Sequence, residues 1–124
     1  MAVTEEEILS FVRSSIRSAW TLEVLLLLRR DARQSWRIDD LVRELRGSVA
    51  LVTESLNALD ALGVLATTAS ESYHYRAATA QLEELVSALV LLYGQKPITV
   101  LRAIFASPSD KIKSFSDAFL IKKN

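Results

Sequence analysis

Residues Ile38–Leu65 read IDDLVRELRGSVALVTESLNALDALGVL, and the fold turns on this stretch. Ile38, Leu41, Val42 and Leu45 recur at helical spacing, and Asp39 and Asp40 sit where the positive end of a helix dipole favours carboxylates. Gly47 interrupts that pattern, and Ser48 is a good N-cap for a second helix. In the second helix Val49, Val52, Leu56, Leu59 and Leu62 form one apolar stripe, predicted to face inward. Ala50, Thr53, Glu54 and Asn57 then lie on the opposite, outward face. Gly63 ends the helix as a C′ glycine does, and Val64-Leu65 begins something extended. A short helix, a tight turn and a longer helix make a helix-turn-helix.

Upstream, Thr4 and Glu7 form a capping box, with Glu5–Glu7 loading the N-terminal end of a first helix. Its stripe of Ile8, Phe11, Val12 and Ile16 carries it to about Ser18. Trp20 and Thr21 open a helix in which Leu22 and Val24–Leu28 are apolar almost all round, which marks it as central to a core or a dimer interface. Arg29 and Arg30 follow at its C-terminal end.

Downstream of Gly63, Val64–Thr68 and Tyr73–Arg76 flank the small polar turn Ala69-Ser70-Glu71-Ser72, the pattern of a β-hairpin. Alternation puts Tyr73 and Tyr75 on one face and His74 and Arg76 on the other. A long helix capped by Thr79 follows, with Leu82, Leu85, Val86, Leu89, Val90, Leu92 and Tyr93 as its stripe and Glu83 and Glu84 in its early turns. Gly94 and Pro97 close it. Pro97 starts a further helix, and Ile112, Phe115, Phe119 and Leu120 mark a last one.

The chain of 124 residues suits one domain, and with half its residues hydrophobic it can bury a real core. Its 15 basic and 15 acidic residues balance, so bulk charge does not advertise nucleic acid or membrane. It has no cysteine, which excludes disulfides and thiolate metal sites and fits a reducing cytosol. The acidic N-terminus is unlike a signal peptide, and the apolar run Val24–Leu28 is too short to span a bilayer. The expectation is a soluble cytoplasmic protein with no membrane partner.

From Trp20 to Arg76 the leucines, the turn, the Ser-capped helix and the Leu-Gly exit resemble the winged helix-turn-helix of bacterial, MarR-like transcription regulators. The tail YRAATAQLEELVSALVLLYGQKPITVLRAIFASPSDKIKSFSDAFLIKKN, residues 75–124, is similar to that of small proteobacterial proteins described as helix-turn-helix regulators. The resemblance implies a mainly α fold with a small β-hairpin wing. A winged core at about 20–77 would be flanked by N- and C-terminal helices, all within a single domain 1–124. It implies a short first strand at Trp36-Arg37-Ile38, a recognition helix at about 48–62 and a wing at about 64–76. Flanking helices of this kind commonly make the dimer, which nominates Leu92, Tyr93, Ile104, Phe105, Phe115 and Phe119, with Leu91 beside them, in the extension from about 79 to 124. Wrapping the subunit's own core is the alternative use of these residues.

A recognition helix pushes its outward residues into the major groove. Asn57 can pair with adenine, Thr53 can reach a base or a phosphate, Ala50 or Leu51 can touch a thymine methyl, and Glu54 can accept from cytosine. Ser48 stands at the helix start, Arg46 in the turn, and Arg37, Ser70, Ser72, His74 and Arg76 offer backbone contacts from the first strand and the wing. Related regulators often carry a base where this chain has Glu54. From Ser48 to Arg76 the formal charge nets −2, whereas affinity for DNA rests largely on neutralised phosphates. Arg29, Arg30, Arg33, Arg37, Arg43 and Arg46, or Lys111, Lys113, Lys122 and Lys123, would have to supply the missing charge. The rival reading is a winged domain that binds another protein.

An enzyme is not expected. His74 is the only histidine and has no metal-ligand or nucleophile partner in sequence, and there is no Gly-rich phosphate loop, G-x-S-x-G or H-E-x-x-H. No cofactor and no metal are expected. Trp20 and Trp36 either line a small-molecule pocket, as effectors' sites do in some related regulators, or pack in the core.

Overall fold

The computed structural model describes residues 3–106. The expected last helix, with Phe115 and Phe119, and the lysines from Lys111 onward lie outside them. Among the described residues the chain is mainly helical with one small antiparallel sheet: α1 (Glu5–Ser15), α2 (Ala19–Arg30), α3 (Ile38–Leu45), α4 (Val49–Leu62), β1 (Leu65–Thr67), β2 (Tyr73–Tyr75), α5 (Ala80–Gln95) and α6 (Pro97–Phe105).

α1 starts as its capping box requires, with the Glu7 amide donating to Thr4 Oγ1 at 3.1 Å. It stops at Ser15, three residues short of the expected end, because Ser18 serves the next helix instead. The Thr21 amide donates to Ser18 Oγ at 3.0 Å, which makes Ser18 the N-cap of α2. Ile16, between the two helices, is fully buried.

α2 is the axis of the packing. It buries Leu22, Val24, Leu25, Leu27 and Leu28 and packs against α3, α4 and β2. At the seam with α4, Thr21 and Ser55 are both buried and Thr21 Oγ1 donates to Ser55 Oγ at 3.5 Å. Ser55 was not part of the expected inward stripe of α4, yet it is only 2% exposed, while Val49 is 56% exposed. Val49 has the right angular position on the helix but lies in its first turn, which projects past the core. Val52, Leu56 and Leu59 are buried as the spacing predicts.

In the turn between α3 and α4 the left-handed residue is Arg46 (φ 55°), directly before Gly47. Gly47 is needed for space: a Cβ there would lie 2.9 Å from Cζ3 of Trp20, whose ring covers the turn. At the other end of α4 Gly63 does adopt φ 92°, and its amide returns to Leu59 and Asp60 carbonyls.

The expected strand Trp36-Arg37-Ile38 is reduced to a single antiparallel bridge. Trp36 and Tyr73 exchange reciprocal backbone hydrogen bonds of 2.7 Å. The Arg37 amide then donates to Asp40 Oδ2 at 3.0 Å, and the chain turns into α3 at once. Beyond the bridge, β1 and β2 pair with Leu65 opposite Tyr75, Ala66 opposite His74 and Thr67 opposite Tyr73.

α5 is capped by Thr79 as expected, the Leu82 amide donating to its Oγ1 at 3.1 Å, but it runs through Gly94 to Gln95. α6 turns away by 117° at Lys96-Pro97. α1, α5 and α6 pack against one another, and Lys96 Nζ reaches Glu5 at 2.9 Å to close that group. No single helix among the described residues is long and apolar enough to cross a membrane.

Two substitutions separate the two glycine roles. Gly63→Ala should destabilise by ~1–2 kcal/mol, because the new Cβ meets only ordinary contacts and the cost is the left-handed backbone. Gly47→Ala should cost ~1–3 kcal/mol by displacing Trp20, and only this variant should shift the tryptophan emission in urea-unfolding experiments.

Candidate nucleic-acid interface

The outward face of α4 is assembled from the second-helix residues that the core does not use. Ala50, Glu54 and Asn57 are exposed, while Leu51 and Thr53 are half-buried. Ser48 Oγ is engaged in capping, accepting from the Leu51 amide at 3.1 Å. Arg46, held in its left-handed turn, is exposed just ahead of the helix.

The hairpin stands beside the start of this helix. Arg37, Ile38, Asp39, Val49, Glu71 and Tyr73 line one open notch of about 320 Å³, so the starts of α3 and α4 and the hairpin turn share a rim. Arg37 Nη1 donates to the Ser70 carbonyl at 3.4 Å across it. The turn itself is braced internally: the Thr68 and Ser70 hydroxyls lie 3.0 Å apart, and the Ser72 amide donates to Thr68 Oγ1 at 3.2 Å. Glu71 takes a left-handed conformation (φ 60°) to close it.

Of the hairpin residues singled out from sequence, Ser70 and Ser72 are therefore at the tip with Arg37. Arg76 is exposed at the base, where its amide donates to the Val64 carbonyl at 3.0 Å, next to the C-terminal end of α4. Tyr75 is buried and Tyr73 half-buried against the core, as alternation predicts. His74 is half-buried, and its Nδ1 is buried with no hydrogen-bond partner among the described residues.

The arginines do not form one patch. Arg43 is paired with Asp40 at 2.7 Å and Arg30 with Asp31 at 3.1 Å. Arg29 points into the protein. Its Nη2 donates to Glu83 Oε2 and to Ser87 Oγ, both at 2.9 Å, and its guanidinium carbon lies 5.4 Å from the centre of the Tyr75 ring. Tyr75 Oη donates to Glu83 Oε1 at 2.7 Å, and Ser87 Oγ donates to Glu83 Oε2 at 2.7 Å. This four-residue network joins α2, β2 and α5.

Sequence reasoning had assigned Arg29 and Glu83 to helix dipoles and missed the network. The i, i+4 pair Glu83–Ser87 was its only local signal. Burial first, then the hydrogen bond to Glu83, pushes the Tyr75 hydroxyl far above the ordinary tyrosine range. The hydroxyls of Ser87 and Tyr75, in that order, and then Arg29 hold the Glu83 carboxyl below its usual value.

The nominated dimer residues also divide. Leu92 and Ile104 are buried in the chain's own core, because they lie on the inner faces of α5 and α6, and Tyr93 is half-buried against it. Phe105 is 66% exposed, and so are Leu91 (68%) and Ile98 (60%), the latter outside the nominated set. Trp20 and Trp36 line different depressions, Trp20 with Ala19, Glu23 and Leu45, and Trp36 with Asp31, Gln34, Asp40, Arg43 and Glu44. Trp36 is itself buried.

The network gives stability a definite pH profile. The contribution of neutral Tyr75 is whole below the unfolded value of ~10 and is lost as the pH rises toward the higher native value. That of ionised Glu83 is whole above the unfolded value of ~4.3 and is lost as the pH falls through the lower native value. In urea-unfolding series Tyr75→Phe should flatten the alkaline limb and Glu83→Gln the acid limb. No family model, no curated protein and no solved structure matches the chain.

Proposed function

We propose that the chain is a winged helix-turn-helix transcription regulator that binds double-stranded DNA as a homodimer. One observation carries the reading: the outward face of α4 is left free, while the hairpin turn and the start of α3 flank its N-terminus around a shared notch. In this reading α4 enters the major groove, Asn57 and Thr53 read bases, and Ala50 and Leu51 lie against thymine methyls. Arg46 and Arg37 reach phosphates on the N-terminal side of the helix, and Arg76 does so at the base of the wing. Two half-sites would lie about one helical turn, ~34 Å, apart.

A second reading is favoured by the charge of the same face. The exposed residues of α4 include Glu54 and Asp60 and no base, and Val49 adds an exposed apolar side chain. Such a surface suits a protein partner, with the winged architecture serving as an interaction module.

Selection of bound fragments from a random duplex pool at low salt separates the two. DNA binding should appear, with Asn57→Ala altering the enriched sequence. Arg46→Ala should weaken all sequences alike and reduce the salt slope by about 1. Glu54→Gln should strengthen binding without sharpening it. Failure to enrich any DNA removes the regulator reading in favour of the protein module.

A further inference from the structure

Val49 is the large apolar side chain of α4 most open to water. It is 56% exposed, although its spacing with Val52, Leu56 and Leu59 sets it on the inward stripe. A single exposed valine is ordinary on a protein surface. This one is informative because of its place, since the N-terminal residues of a recognition helix are those that meet base edges.

Its neighbours around the notch divide by chemistry. Ile38 and Tyr73 are half-buried against the core and supply apolar surface. Asp39 and Glu71 are exposed, and neither carboxylate has a hydrogen-bond or ion-pair partner among the described residues. Arg37 is the single base among the lining residues, and it already donates to the Ser70 carbonyl. Two unpaired carboxylates repel phosphate, so the surface around Val49 suits a neutral group, with phosphate held at Arg37.

Of the groups that base pairs display in the major groove, the thymine methyl is the apolar one, and the rest are hydrogen-bond donors and acceptors. Valine offers those no bond, and covering a polar group without one is costly. We propose that Val49 packs against a thymine methyl and makes each half-site require a T·A pair at that position. The proposal rests on the DNA-binding reading. It adds to α4 a residue that selects by excluding polar edges, where Asn57 and Thr53 select by bonding to them.

The test uses the full-length protein and the best duplex enriched from the random pool. Its thymines are replaced one at a time by deoxyuridine, which removes the methyl and keeps the pairing. At one position of a half-site the unaltered protein should lose about fourfold in affinity, the transfer value of one buried methyl group. With Val49→Ala the loss there should fall below about twofold, while the losses at other thymines stay as they were. Val49→Thr, which keeps one methyl, should lie between the two. Because the side chain is exposed, both variants should unfold in urea close to the unaltered protein. Uracil penalties that both variants leave unchanged at every position, or a best half-site without thymine, would overturn the contact and leave the DNA-binding reading standing. A pool that enriches no duplex removes both.

Discussion

The carboxylate of Glu83 is the point through which three separate parts of the chain are held in register. It accepts from Tyr75 on the hairpin, from Arg29 on the central helix and from Ser87 one turn along its own helix. Hydrogen bonds to an ionised acceptor are short and strongly directional, so the angle at which the hairpin leaves α4 is tied to the position of α5. Arg29 contributes a second time by stacking on the Tyr75 ring. The network lies partly open to water, and its role is as much geometric as energetic.

Around that tie the helices meet where side chains are small. Thr21 and Ser55 sit at the seam of α2 and α4, and Gly47 leaves room for Trp20 above the turn. Larger residues at these places would force the pair apart, since interiors are packed to crystal density. The seam determines which residues of α4 are turned outward. Any function assigned to Ala50, Glu54 and Asn57 therefore depends on packing on the opposite side of the same helix.

That outward face is neutral to acidic, which distinguishes the proposed interface from one driven by bulk charge. Arg29 is committed to Glu83, and Arg30 and Arg43 are paired with carboxylates. Phosphate contacts in the proposed complex fall to a few residues, Arg37, Arg46 and Arg76, placed at the edges of α4 and not along it. In the proposed complex, weak electrostatic attraction shifts the burden to complementarity and to the proposed second subunit.

Local signals were readable without a structure. Thr4, Ser48, Thr79 and Gly63 marked helix ends because a cap is made by neighbouring residues. Leu41, Val52, Leu56, Leu59, Val86 and Leu89 could be placed inside from their spacing. Only the tertiary structure decided what distance in sequence conceals. It turned Ser18 from the end of one helix into the start of the next, put Ser55 in the core and left Val49 outside. It also drew Leu92 and Ile104 into the chain's own interior and took Arg29 out of the basic surface. The physical reason is the same in each case. Periodicity gives the angle of a side chain about its helix, but not how far along that helix a neighbour extends. Nor does it name the distant group that a charge will meet. Arg29 and Glu83 are joined by a fold, and no window of residues contains them both.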